Sequence, residues 1–219
     1  MAIKMPNQDI GQRYATRAQA EGYRDRFKKG RRRRTHEREA AALQSLLDSL
    51  GRLDIVLDVG SGPGRFATLF AAHVGRLIQA DFSNDMLEVS RDHYPLEASR
   101  SGYAQADVRH LPFATGSVDL VFCHRLLNHL PNPEDRRHAF AELARVTRRY
   151  VVVSCLSAPA PLRLLRRAYV RLKGGDPTRS FVDVGDVFRD ANETGLRLAG
   201  RTPIRTFGRS AAFFTFVNR

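Results

Sequence analysis

The chain has 219 residues, 42% of them hydrophobic, enough to build the core of one α/β domain with a short extension. No stretch approaches the ~18 consecutive apolar residues of a membrane span, and Met1-Ala2-Ile3-Lys4-Met5 leads into charged sequence rather than an apolar signal core. Cys123 and Cys155 make no disulfide framework, so reduced thiols and a cytoplasmic location are expected, while the net charge of +13 implies either an anionic partner or plain arginine-rich composition.

Residues 1–50 carry no strand signal. Ile10, Tyr14 and Ala18, then Tyr23 and Phe27 after Gly22, predict two amphipathic helical pieces. The run Lys28-Lys29-Gly30-Arg31-Arg32-Arg33-Arg34 cannot bury its charges and must be solvated. Thr35 is expected to cap a helix from Glu37 to Leu50 whose apolar stripe is Ala40, Leu43, Leu46, Leu47 and Leu50.

The stretch Ile55-Val56-Leu57-Asp58-Val59-Gly60-Ser61-Gly62-Pro63-Gly64 organises the rest of the chain. Apolar residues around one aspartate predict a short buried strand, and three alternate glycines break it. Pro63 suits the first position of the next helix, through Arg65-Phe66-Ala67-Thr68-Leu69-Phe70. Strand, glycine turn and helix open a doubly wound α/β sheet, whose ligands sit over this turn. A phosphate-cradling loop would need a lysine after the glycines, and a dinucleotide fingerprint would need glycine where Arg65 stands. What remains is Asp-x-Gly-x-Gly-x-Gly. In this form the segment resembles the first motif of the class I S-adenosylmethionine (SAM) methyltransferases. The resemblance implies a Rossmann-like fold, a seven-stranded mostly parallel sheet in the order 3-2-1-4-5-7-6. It also implies that Gly60, Gly62 and Gly64 admit the cofactor and that Asp58 orients its amino-acid end.

Arg76 to Asp81 predicts the second strand, ending in an acid about 20 residues past the glycines, where a carboxylate can accept from both ribose hydroxyls. Phe82 and Met86, in Asp-Phe-Ser-Asn-Asp-Met-Leu, resemble the family segment that lines the adenine. Ala106-Asp107-Val108-Arg109-His110-Leu111-Pro112-Phe113 is similar to a later family motif, which implies that Asp107 accepts from the adenine amine beside Val108. Solvated loop aspartates capping helices are the alternative for all three acids. Cys123, at the end of the fourth strand Val118–Cys123, completes the expected cofactor set.

After that strand comes His124-Arg125-Leu126-Leu127-Asn128-His129-Leu130, which matches a family segment whose histidine faces the pocket. His129 is therefore the first candidate for base or substrate orienter, with helix capping or burial as its alternative. His124 is the second catalytic candidate and is better placed to touch the cofactor. Arg125 is expected either to hold a substrate carboxylate or phosphate or to be a surface arginine. The resemblance makes residues 1–50 a cap or lid over a methyltransferase domain at 51–219. Tyr14, Tyr23 and Phe27 are its candidate substrate-binding residues, or else helix-packing ones.

Asn132-Pro133-Glu134-Asp135 predicts a helix start. Tyr150–Ser154 predicts the fifth strand, where Val146-Thr147-Arg148-Arg149 replaces the Lys-Pro-Gly-Gly usual in the family. Further strands are expected near 196–205 and 211–217. Between them and the fifth strand, residues 162–173 predict a basic amphipathic helix that suits an anionic membrane surface or a lid. No His/Cys/acid cluster at metal spacing occurs. The motifs look most like the branch containing ubiquinone- and menaquinone-biosynthesis methyltransferases. They imply methyl transfer from SAM to a small or lipid-like acceptor. Methylation of RNA or a ribosomal component, and SAM binding without turnover, are the alternatives. Tryptophan is absent and no RNA-binding module is seen.

Overall fold

The computed structural model describes residues 16–130, 132–157, 168–169, 171–172, 183–204 and 210–219. β1 (Leu53–Val59), β2 (Val74–Asp81), β3 (Ser101–Gln105), β4 (Val118–His124), β5 (Thr147–Ser157), β6 (Leu196–Ile204) and β7 (Ser210–Asn218) form one sheet. Their order is β3-β2-β1-β4-β5-β7-β6. β1 to β5 run parallel, and β7 is antiparallel to both β5 and β6. This is the doubly wound sheet expected from the motifs. The chain winds outward in both directions from the β1/β4 pair, which leaves a crevice at the carboxyl ends of these strands.

Flanking the sheet are the helices α1 (Arg17–Asp25), α2 (Gly30–Leu50), α3 (Ala67–His73), α4 (Asn84–His93), α5 (Pro133–Val146) and α6 (Val184–Glu193), and residues 168–169 and 171–172 are helical as well. Strands buried on both faces carry near-continuous apolar runs, and neighbouring residues go to opposite cores. Val56, Leu120 and Val152 pack with Leu43, Leu46 and Leu47 of α2 and with Phe66 and Phe70. Leu57, Val121 and Val151 pack with Phe140, Leu143 and Val146 of α5 and with Val187 of α6.

Three local expectations are corrected. α2 starts at Gly30, not Glu37, so Arg31 to Arg34 are helical and still exposed. Arginine is a good helix former, and charges aimed at solvent do not interrupt the backbone. Thr35 donates its hydroxyl to the Arg31 carbonyl at 3.0 Å inside this helix and caps nothing. Pro63 lies within a turn rather than opening a helix, because Gly64 follows with φ +75° and α3 begins only at Ala67. Helix α1 runs through Gly22 as one piece, capped by Thr16, whose Oγ1 accepts from the Gln19 N–H at 3.4 Å. Ile10 and Tyr14 lie outside the described residues. The tight connection before β5 has no loop residue at all: α5 ends at Val146 and the strand begins at Thr147.

Candidate active site

The glycine turn places backbone, rather than side chains, at the mouth of the crevice. Gly60 and Ser61 donate their N–H groups to the Ala80 carbonyl at 2.8 and 3.1 Å, which ties the turn to β2. Gly60 and Gly62 hold φ of +71° and +56°, a region that other residues enter at a cost. A Cβ on Gly62 would project into open space, with only the Tyr23 ring 4.0 Å away. Asp81 ends β2 beside it, its Oδ2 accepting the Gly62 N–H at 2.8 Å and its Oδ1 the Ser83 N–H at 3.0 Å. Burial raises the Asp81 pKa against the pull of these donors.

A cavity opens over this turn. Gly60, Gly62, Asp81, Phe82, Met86 and Val108 border it with Asp107, and Tyr23, His124, Arg125 and His129 close the other side. Met86 and Val108 are buried, whereas Phe82 is half exposed at the rim. Asp107 does not stand alone: Arg109 Nε and Nη2 reach its Oδ1 and Oδ2 at 3.0 and 2.6 Å. The other arm of the fork, Nη1, meets Asp135 Oδ1 at 3.0 Å. Burial would raise the Asp107 pKa, but the guanidinium outweighs it and holds the acid ionised.

Several expected residues stand elsewhere. Asp58, Gly64, Cys123 and Phe27 are not in the cavity wall. Cys123 is fully buried in the core between the sheet and α5. A Cβ on Gly64 would fall 2.0 Å from Ser90 Oγ, so this glycine serves the packing of the turn on α4. Phe27 lies under the Arg65 guanidinium, 3.6 Å from its ring centroid. Asp58 is buried on β1, and burial together with the nearby Asp81 charge pushes its carboxyl up to about 8. Tyr14 lies outside the described residues, as does most of segment 162–173.

Behind His124 and Arg125 lies a charge cluster that the sequence pattern does not announce. Glu39 of α2 is 1% exposed. Arg65 Nη2 donates to its Oε2 at 2.6 Å, and Arg125 Nη2 donates to its Oε1. His124 Nε2 faces Oε2 at 3.6 Å, too long for a hydrogen bond, and His36 Nδ1 lies 3.2 Å from Arg65 Nη2. Burial alone would raise the Glu39 carboxyl, but His124, Arg125 and Arg65 hold it well below the ordinary range. Burial lowers both histidines, His124 to about 4, so each is neutral at pH 7. The one available signal is position: Glu39 stands four residues before Leu43, on the apolar stripe.

This cluster also corrects His124 as a candidate for proton transfer. Ser154 Oγ accepts the Arg125 N–H at 3.1 Å and lies 2.8 Å from His124 Nδ1. A hydroxyl that donates to Nδ1 leaves the ring proton on Nε2, facing the Glu39 carboxylate. With Nδ1 bonded to the Ser154 hydroxyl and burial lowering its pKa to about 4, this imidazole is neutral at pH 7 and a weak proton acceptor, although its buried Nε2 has no hydrogen-bond partner among the described residues. His129 is exposed on a short 3₁₀ turn at the cavity edge.

Residues 57–155 match the family model described as a methyltransferase domain, the family that the motifs led us to expect. The malonyl-[acyl-carrier protein] O-methyltransferase of Laribacter hongkongensis is 29% identical over 170 residues, covering 70% of this chain and 57% of that protein. The demethylmenaquinone methyltransferase of Clavibacter sepedonicus is 33% identical over 115 residues, 52% of this chain and 45% of that one. The chain thus spans about half the length of these curated relatives. A crystal structure of magnesium protoporphyrin IX methyltransferase from Synechocystis with bound S-adenosylhomocysteine superposes with a TM-score of 0.78 at 17% identity. That alignment covers 98% of this chain and 100% of the other, and shows a common fold.

Proposed function

We propose that this protein transfers a methyl group from SAM to a small-molecule or lipid-like acceptor. The observation that carries the reading is the cradle at Gly62. Its missing Cβ leaves space directly beside the oriented Asp81 carboxylate, over the carboxyl ends of β1 and β2. SAM offers a sulfonium, an ammonium and ribose hydroxyls, and no phosphate, which suits a turn without a lysine. Asp81 accepts backbone N–H groups from Gly62, Ser83 and Phe82 and still keeps lone-pair capacity for a ribose hydroxyl. Asp107, held ionised by Arg109, is an acceptor suited to an adenine amine, with Phe82, Met86 and Val108 as apolar flanks. Asp58 acts from beneath the wall: a buried neutral carboxyl ionises readily beside a cofactor ammonium.

When bound, SAM supplies an electrophilic methyl carbon. The chain's task is to hold the acceptor in line with that carbon, and positioning supplies most of the acceleration. His129, at the cavity edge, is the proton acceptor for a nucleophile that arrives protonated, worth roughly 10²–10⁴-fold. Among the described residues no cluster of His, Cys, Asp and Glu is able to hold a metal ion. Tyr169 and Leu172, 60% and 86% exposed, provide apolar surface for a lipid-like acceptor or an anionic membrane.

Calorimetry with S-adenosylhomocysteine in the presence of a chelator tests the cofactor half, and absence of binding refutes it. Turnover is tested by release of S-adenosylhomocysteine with acceptors of the kinds that the relatives are named for: a malonyl thioester, a demethylated quinone and a metalloporphyrin. Binding without release from any acceptor class would favour a SAM-binding protein without turnover. Release with RNA alone would favour the nucleic-acid reading.

A further inference from the structure

We propose that the acceptor enters the cavity as a monoanion and that Arg125 recognises its carboxylate, with the buried Glu39 as a built-in counter-ion that positions the guanidinium. The inference rests on the methyl-transfer reading and names the class of acceptor for the same cavity.

Arg125 is unusual in its backbone. It is the one non-glycine residue with a positive φ, +60°, among the described residues. Such strain persists only where surrounding structure enforces it, and it clusters at ligand sites. Here the enforcing contacts are from its own N–H to the Ser154 carbonyl at 3.3 Å and to Ser154 Oγ at 3.1 Å. The turn directs a side chain that is 27% exposed along the cavity wall, next to His124. A surface arginine needs no such conformation.

The charges around it do not cancel. Glu39 carries one negative charge against the guanidiniums of Arg65 and Arg125, and both neighbouring histidines, His36 and His124, are neutral. Arg65 is buried, 8% exposed, and is directed at Glu39. The surplus positive charge therefore appears at Arg125, the charged member of the cluster that borders the cavity. A guanidinium has five N–H donors, and the contact to Glu39 Oε1 uses one through Nη2. The remaining donors suit the planar, bidentate geometry of a carboxylate. One surplus charge matches a monoanion, whereas a phosphate dianion would leave a charge unmatched in a half-buried site. Glu39 thereby has two effects: it holds the guanidinium in place and it competes with the acceptor for it.

The test uses matched probes, benzoate against benzamide and hexanoate against hexanamide, titrated into the full-length protein with and without S-adenosylhomocysteine, followed by amide NMR shifts. We expect each carboxylate to bind at least about tenfold more tightly than its amide, the scale of a charge-assisted pair. Arg125→Met should remove that preference. Glu39→Gln should enlarge it, because the internal competitor loses its charge. The ratio of carboxylate to amide affinity is the readout, since general loosening of the fold would affect both probes alike. Equal binding of the two, no saturable carboxylate binding, or a preference that survives Arg125→Met would each overturn the proposal. Should Glu39→Gln fail to fold, wild type and Arg125→Met still decide the matter. Failure to bind S-adenosylhomocysteine would refute the methyl-transfer reading separately, because the carboxylate preference is also read without it.

Discussion

Asp58 and Glu39 are both almost fully buried carboxyls behind the lining of the cavity, yet their acidities move in opposite directions. Asp58, on β1 below the glycine turn, is pushed up to about 8 by burial and by Asp81. Glu39, on α2, is held below the ordinary range although burial opposes it, because two guanidiniums face it. Burial sets the size of the electrostatic problem, and the neighbours set its sign. Asp58 has no positive partner in contact among the described residues, whereas Glu39 already has two.

Breaking the pre-paired side should have the largest effect. Glu39→Ala leaves Arg65 and Arg125 without a counter-ion in a buried setting, a loss of about 3–5 kcal/mol in unfolding free energy, measurable by urea denaturation. Glu21→Ala, which breaks an exposed pair with Arg17, should leave the midpoint near wild type. Equal behaviour of the two variants would mean that Glu39 is not the hub described.

Next in size is Asp81→Ala, expected to weaken S-adenosylhomocysteine binding by roughly 1.5–3 kcal/mol through loss of charge-assisted hydrogen bonds. Its unfolding midpoint should change little at neutral pH, because this carboxyl is desolvated and its pKa is raised in the folded chain. Calorimetry beside denaturation separates the two effects; wild-type affinity would remove Asp81 from the cofactor site.

The most diagnostic effect is in pH. Asp58 keeps a proton in the folded chain that the unfolded chain releases near ~4, so its contribution is fully present below that value and lost as pH rises through about 8. Asp58→Asn, which mimics the protonated form, should match wild type near pH 4 and gain on it toward pH 8. Glu39 works in reverse, its contribution present above ~4.3 and lost as pH falls toward its depressed folded value. The deficit of Glu39→Gln should thus be greatest at neutral pH and shrink in acid. Parallel pH slopes for the two variants would contradict the contrast.

The cofactor side is legible in the sequence because its parts are close together or tied to strand ends. Gly60, Gly62 and Asp81 follow from one turn and one strand terminus, and Asp107 from the next. Even there, the Arg109 fork on Asp107 is hidden, since a residue two positions on in a loop has no fixed direction. Gly64 and Cys123 flank such a motif and so read as cofactor residues, whereas the packing of α4 and α5 turns them away from the cavity. The exposed, helical Arg31 to Arg34 show the complementary limit: charge content predicts solvation but not where a helix begins.

Sequence alone determined the strand–turn–helix register, the strands buried on both faces and the acids at their ends. Those features depend on local backbone chemistry and on a period of two that neighbouring residues enforce. Only the tertiary structure decided the charge cluster around Glu39. Glu39, Arg65, Arg125 and Ser154 come from α2, the glycine turn, the end of β4 and β5, and meet only when the sheet assembles and α2 lies across it. A buried charge is tolerable only opposite its partner, and partners so distant along the chain leave no local pattern beyond one glutamate on an apolar stripe.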